Sequence, residues 1–410
     1  MSRTPLDVLV VGAGPAGSLA ALVLARAGVR VRLLDRATFP RDKLCGDTVN
    51  PGSLALLDRL GLGRRVRDEG IPVRGMVVTG PHGARVVADY PGIVTGVALT
   101  RRLLDQALLD AAIAAGTEFD DGVSVLRPLV SDRGRVTGVS LRRTGGEHDV
   151  HAQVVIGADG RASRLGSALG LSRLAARPRR WAVGAYFEGV TGLTDRGEMH
   201  VRADGYTGIA PLAGGIANVC VVMEEKGIRG ATLALAADAG SRSGSPRQHS
   251  DLLLREIRRD RTLRERFDAA AQISGITTLG PLAVDARTAG VPGLLLAGDA
   301  AGFVDPMTGD GLRFAFRGGV LAAESALREL NSGVAQHDGL ATARRREFAG
   351  KWRINRTLRA LVGSPAGVAL AARLATVWDL PIRTLVAIAG DVALVDDPDA
   401  PHASAGRSLA

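Results

Sequence analysis

A continuous apolar, β-branched run at Leu6–Val11 passes directly into Gly12-Ala13-Gly14-Pro15-Ala16-Gly17. Apolar positions then recur at helical spacing: Ala16, Leu19, Ala20, Val23, Leu24 and Ala27. Gly28 closes that helix, and Val29–Leu34 reads as a second strand ending in Asp35. A strand, a glycine-rich turn, a helix and a parallel strand within thirty-odd residues leave few options besides a βαβ nucleotide-binding unit. Gly12 permits the tight turn, Gly14 lets backbone approach a pyrophosphate, and Gly17 lets helix and strand pack closely. The helix start offers free N–H groups and partial positive charge to phosphate oxygens. Asp35 is placed to accept hydrogen bonds from ribose hydroxyls. At this stage FAD and NAD(P) both remain open, and Arg36 would suit a 2′-phosphate. The basic, apolar N-terminus imitates a secretion signal, but the nucleotide motif accounts for the same residues.

Two later segments narrow the cofactor. Residues 154–164 (VVIGADGRASR) join an apolar strand to Asp159-Gly160. Residues 294–312 (LLLAGDAAGFVDPMTGDGL) join another to Gly298-Asp299, a Gly/Pro-rich loop and a helix start near Gly311. With the N-terminal motif, this ordered set resembles the p-hydroxybenzoate hydroxylase-like FAD-dependent oxidoreductases, over roughly residues 5–335. The segment FPRDKLCGDTVNP at 39–51 resembles their geranylgeranyl reductase-like branch.

The resemblance implies a Rossmann-type FAD-binding domain, an antiparallel β-sheet substrate domain and a C-terminal helical region, an α/β fold overall. The expected division gives 1–71, 97–180 and 280–335 to the FAD domain and 72–96 and 181–279 to the substrate domain. Residues 336–395 form the helical region, and 396–410 a disordered tail. The resemblance further implies non-covalent FAD, with NAD(P)H as electron donor. Its expected contacts are Gly12, Gly14, Pro15, Ala16, Gly17, Asp35, Arg36, Cys45, Gly46, Arg101, Val125, Asp159, Asp299, Gly309, Gly311 and Leu312. Within that set Asp299 would take the ribityl chain, Arg101 the phosphates, and Val125 the adenine through its backbone. A helix beginning near Gly311 would aim its N-terminus at the flavin, where reduction develops negative charge.

Candidate catalytic residues are Cys45, Asp47 and Pro306, with Asp305 also considered. Each of the acids also fits a loop-capping role. Cys220, in the strand NVCVVM, reads as core. Tyr206, Gly208 and Pro211 mark the expected substrate side, and Gly214-Gly215 a hairpin turn. They stand where prenyl reductases of this branch carry an aromatic Tyr-x-Trp-x-Phe-Pro motif, and that aromatic wall is missing. The segment 75–80 (GMVVTG) lacks the Lys that a halogenase would place there. The helical region interleaves Arg344, Arg345, Arg346, Lys351, Arg353, Arg356 and Arg359 with Phe348, Trp352 and Leu358. Such a helix suits a membrane surface, an acidic carrier protein, or a solvated face whose apolar side meets the core.

Composition sets outer limits. The net charge is +10, but only three of 52 basic residues are Lys, an Arg bias spread along the chain rather than a nucleic-acid stripe. Aromatics at 3% leave no base-stacking platform. Two cysteines build no disulfide framework, which suits the cytoplasm. His148 and His151 lack a third metal ligand nearby, and neither a P-loop nor a G-x-S-x-G elbow occurs. The expectation is an FAD-dependent oxidoreductase acting on an apolar or aromatic small molecule. Hydroxylation is placed ahead of double-bond reduction because the aromatic motif is lost. Halogenation and a non-catalytic flavin carrier stand behind both.

Overall fold

The computed structural model describes residues 6–143, 146–174, 179–228, 246–303, 306–362 and 364–395. The C-terminal tail, Asp305 and most of the 238–250 segment therefore lie outside the described residues.

The N-terminal pattern folds as its periodicity requires. Strand β1 (Leu6–Val11), helix α1 (Pro15–Arg26) and strand β2 (Val31–Leu34) form the βαβ unit, with β1 and β2 paired in parallel. The described helices continue with α2 (Pro51–Arg59), α3 (Gly63–Glu69), α4 (Arg101–Ala114), α5 (Arg164–Ala168), α6 (Pro246–Arg259) and α7 (Gly311–Ser332). Three more close the chain: α8 (His337–Val362), α9 (Pro365–Val377) and α10 (Leu380–Ala389).

A first sheet places β1 at its centre. Its parallel strands run Leu294–Leu296, Gly146–Gly157, β1, β2, Glu118–Asp120. Helices α1, α4 and α7 bury their apolar faces against one side of it, and Val125, Val139, Leu141 and Leu165 pack against the other, so its central strands are apolar on both sides. A second sheet runs Arg180–Glu188, Ala217–Glu224, Gly205–Pro211, Gly197–Arg202, Gly75–Thr79, Arg85–Asp89. It is antiparallel except where Gly75–Thr79 pairs in parallel with Gly197–Arg202. That one exception arises because the Gly75–Asp89 hairpin comes from a distant part of the chain and adds to the edge. The expected turn at Gly214-Gly215 joins Gly205–Pro211 to Ala217–Glu224, both glycines at positive φ.

The charged segment after Asp251 is helical only to Arg259; a short turn at Arg264–Phe267 follows. The C-terminal helices fold back over the second sheet. Gly52 N–H donates to Gly390 O at 2.9 Å, and Asn50 Nδ2 to Ala389 O at 2.7 Å, tying the chain end to the start of α2.

Candidate active site

The glycine turn meets its steric requirements. A Cβ on Gly12 (φ +101°) would lie 2.4 Å from Ala158 O, and one on Gly17 only 1.8 Å from Gly12 O. Gly14 differs: a Cβ there would meet only the Arg41 guanidinium, at 3.5 Å. The approach to the start of α1 is therefore open, and no side chain caps that helix. Pro15 fills the first helical position, where no N–H is needed. Asp35 is buried at the end of β2 and accepts from Ala13 N–H at 2.7 Å and Ala37 N–H at 2.8 Å. It thus braces the turn, and each oxygen keeps a lone pair for another donor. Arg36 is exposed beside it.

The second βα turn lies against the first. Gly298 (φ +58°) is so close that a Cβ would sit 2.9 Å from Ala16 Cβ, while Gly319 in α7 touches the Ala16 carbonyl. The Asp299 carboxylate accepts no hydrogen bond from a described residue. It lies within electrostatic reach of Lys43, Arg161 and Arg344. Gly309 (φ +71°) faces open space, Pro306 lies in a tight turn before it, and α7 begins at Gly311 and Leu312 without a side-chain cap. Asp159 has one oxygen on Arg164 N–H at 2.8 Å and the other buried and unpartnered. Burial raises its pKa, partly offset by Ser163 and Arg164. Val125 carries its carbonyl on Arg164 Nη1 at 3.3 Å. Two uncapped helix starts and an acceptor without a partner thus converge with an orphaned carboxylate oxygen. That is a donor and acceptor set suited to a dinucleotide with phosphates at one end and hydroxyls along it.

Residues 5–356 match the FAD binding domain family. The chain belongs to that family. It is an FAD-dependent oxidoreductase, and its cofactor is FAD, with NAD(P)H the electron donor typical of such enzymes. It is 34% identical over 345 residues to the menaquinone reductase of Mycobacterium tuberculosis, covering 78% of this chain and 76% of that one. It is 33% identical over 333 residues to digeranylgeranylglycerophospholipid reductase 2 of Methanopyrus kandleri, again 78% and 76%. Among solved structures it resembles a geranylgeranyl bacteriochlorophyll reductase-like protein from Thermoplasma acidophilum (TM-score 0.77, 23% identity, 96% of each chain). It resembles the myxobacterial chondrochloren halogenase CndH equally (TM-score 0.77, 22% identity, 96% and 97%). Those two likenesses show the fold that this FAD-binding family member shares.

The Lys43–Asp47 loop of this flavoprotein crosses between the two sheets. Arg101 grips Asp105 through Nε at 2.7 Å and Nη2 at 2.8 Å, and Arg41 adds a contact to Asp105 at 3.1 Å. Arg101 is buried, held charged by Asp105 and the adjoining Cys45 against the desolvation that disfavours it. The expected phosphate ligand is therefore already engaged through one edge of its donor fork. Burial, with the charge of Arg101, lowers the pKa of Lys43, and Asp299 offsets this.

Asp47 is the unusual member of the loop. It is 1% exposed and has left-handed backbone (φ +51°). Its Oδ2 accepts from Tyr186 Oη at 2.8 Å and from Asn218 Nδ2 at 2.8 Å, while Oδ1 is buried without a partner. Asn218 Nδ2 also donates to Cys45 O at 2.6 Å. Tyr186 and Asn218 are direct cross-strand partners, so both side chains leave one face of the second sheet. Burial pushes the Asp47 carboxyl up to about 7, against the lowering effect of Tyr186, of the Arg101 charge and of Asn218. Because Oδ2 accepts two hydrogen bonds, the proton of the neutral acid belongs on Oδ1.

Beside Gly46 and Asn218 opens a cavity of about 260 Å³. It runs between the second sheet, the Met307–Gly309 turn and the C-terminal helices. Met76, Val78, Met199, Val368, Ala372 and Val386 give it an apolar wall. Of the expected substrate residues, Gly208 lines this space. Tyr206 packs into the core with Ala182, Val222 and Leu282, and Pro211 ends its strand. Cys220 packs against the core, as expected, and also borders the cavity; burial raises its thiol to about 12, with the charges of Cys45 and Asp47 adding to it. The two cysteines are free, Cys45 half-buried, and no group of three metal-ligating side chains occurs among the described residues.

The basic helix also departs from expectation. Arg344 is buried, donates to Ala301 O at 3.0 Å and lies over the Phe348 and Trp352 rings. Burial lowers it to about 10. Lys351 pairs with Asp310 and with Asp391 at 2.9 Å, holding the start of α7. Both cations therefore serve the site's scaffold, while Arg345, Arg346, Arg353 and Arg356 remain exposed. Tyr186 and Asn218 escaped the sequence reading. The available signal was a Tyr and an Asn interrupting two otherwise apolar strands, WAVGAYFE and ANVCVVME.

Proposed function

We propose that this flavoprotein reduces a carbon–carbon double bond in an elongated apolar substrate of the isoprenoid or prenylated-quinone class. The observation that carries the reading is a buried, protonatable carboxyl whose neighbours Gly46, Thr48 and Asn218 line an apolar cavity. Reduction of an alkene adds a hydride at one carbon and a proton at the other. FAD, reduced by NAD(P)H, supplies the hydride. In this reading Asp47 Oδ1 delivers the proton, and Tyr186 and Asn218 hold Oδ2 so that the acid stays aimed. The anion left on Asp47 keeps those two donors until solvent reprotonates it.

In the same reading, the α1 start with Gly12, Gly14, Pro15, Ala16 and Gly17 takes the pyrophosphate, and Asp35 the ribose. Asp299 takes the ribityl hydroxyls. Gly309, Gly311 and Leu312 would offer backbone N–H groups to the ring. Cys45 and Gly46 would line the space that holds the ring. The apolar wall excludes water from the reacting carbon and suits chains of CH₂ and CH₃ groups. The names of the curated relatives agree with this substrate class.

Hydroxylation, which the sequence alone places first, is the second reading, and the same cavity would serve it. The Asp47 arrangement favours reduction, since the alkene carbon needs a proton from a positioned acid. The test incubates holoenzyme and NAD(P)H, without oxygen, with isoprenoid alkenes and prenylated quinones, followed by mass spectrometry. A product heavier by two hydrogens supports reduction. A product formed only in air and carrying one oxygen overturns it.

A further inference from the structure

Helix α9 is apolar on two opposite sides. Val368, Ala372 and Ala375 are buried and face the cavity. Leu370, Leu374 and Val377 are 60%, 57% and 89% exposed. The two rows are offset by two residues, which at 3.6 residues per turn places them on opposite faces. Trp378 and Leu380, also more than half exposed, continue the outer row into α10. A helix apolar all round is ordinarily covered on every side, and a protruding apolar ridge of this kind marks an interaction surface.

Charge identifies the cover. From Phe348 to Trp378 the chain carries Lys351, Arg353, Arg356, Arg359 and Arg373, with no Asp or Glu. Lys351 is turned inward to Asp310 and Asp391, but Arg353 and Arg356 on α8 and Arg373 on α9 are exposed, and Asp379, next after Trp378, is paired with Arg383. We propose that the outer faces of α9 and α10 dock on the surface of a bilayer containing anionic lipid. A second copy would bring like charges together around the ridge. An acidic protein would answer the arginines but leave the Leu–Val–Trp ridge to find its own groove. A bilayer answers both: apolar side chains enter the headgroup–acyl boundary, Trp378 sits at the interface, and the arginines meet lipid phosphate. No single described helix is long and apolar enough to cross a membrane, and the contact proposed is a peripheral one. The same two helices wall the apolar cavity, so the docked enzyme holds that wall against the lipid. The docking itself does not depend on the reaction proposed above.

The test is flotation of FAD-loaded full-length protein with phosphatidylcholine vesicles, with and without about one-third phosphatidylglycerol. The expected result is co-flotation with the anionic vesicles, weakened by salt, and a blue-shifted Trp emission that Trp378→Phe removes. Leu374→Glu and Val377→Glu together lower the bound fraction by about tenfold or more per side chain. Neither position lines the cavity, so flavin absorbance and turnover of a short, water-soluble alkene stay at wild-type levels, which separates lost docking from lost folding or chemistry. Equal flotation of the double variant overturns the proposal. So does an absence of vesicle binding accompanied by a dimer, seen by light scattering, that the double variant dissociates.

Discussion

Asp47→Asn isolates the proposed proton donor with little change of shape, since Asn also tolerates the left-handed backbone found there. Its consequences separate into stability and rate. The carboxyl titrates at about 7 when folded, against 3.8 for an ordinary solvated aspartate. Below 3.8 both states are protonated and the group contributes nothing. Between 3.8 and 7 the unfolded chain ionises and the folded protein does not, so folding stability falls as pH rises. The loss is about 1.4 kcal/mol per pH unit and stops above 7. Between pH 5 and pH 8 the wild type should therefore lose about 2.7 kcal/mol that Asp47→Asn does not lose. Urea unfolding of the FAD-saturated proteins at both pH values measures the difference. In turnover, the acid works only when protonated, so wild-type kcat/KM should fall above pH 7. The variant should retain its flavin but lose about 10² to 10⁴ in kcat. Parallel stability profiles for the two proteins would refute the buried-acid assignment. Full turnover by Asp47→Asn would refute the proton-donor role even if the stability difference appeared.

Three further outcomes are expected. Tyr186→Phe removes a hydrogen bond that favours the Asp47 anion, so the alkaline limb of the kcat/KM profile should move to higher pH; an unmoved limb means Tyr186 does not set this acid. Asp299→Ala should purify without flavin absorbance, and Gly17→Ala should do the same while costing about 3 kcal/mol, because its new Cβ has no room beside Gly12 O; fully yellow variants would displace the cofactor assignment. Gly208→Leu projects into the cavity, where a Cβ meets only the Cys220 carbonyl, at 4.0 Å. It should keep FAD but lower kcat/KM for long apolar alkenes about tenfold or more, and unchanged kinetics would move the substrate elsewhere.

The sequence alone carried the nucleotide half of the molecule. Gly12, Gly14 and Gly17 act within a few residues of each other: the tight turn and close packing admit almost no side chain at Gly12 or Gly17, and Gly14 leaves the approach to the helix open. Gly298 is as tightly placed against Ala16, and Asp299 and the helix start at Gly311 follow it in one short segment, so the family and its cofactor were legible from local pattern. The acid centre was not. Asp47 was visible only as one of several loop acids, since Tyr186 and Asn218 reach it from 139 and 171 residues away. Only the cross-strand register of the second sheet aims both at one oxygen, and only burial between the sheets raises that carboxyl. The C-terminal helices show the same limit. Their charge pattern did not reveal that Arg344 and Lys351 turn inward, because the pull of Ala301, Asp310 and Asp391 exists only once the chain has folded back. Residues that act through neighbours in sequence can be read from sequence. Residues that act through partners across the fold acquire their chemistry from the topology that brings them together and from the water that topology removes.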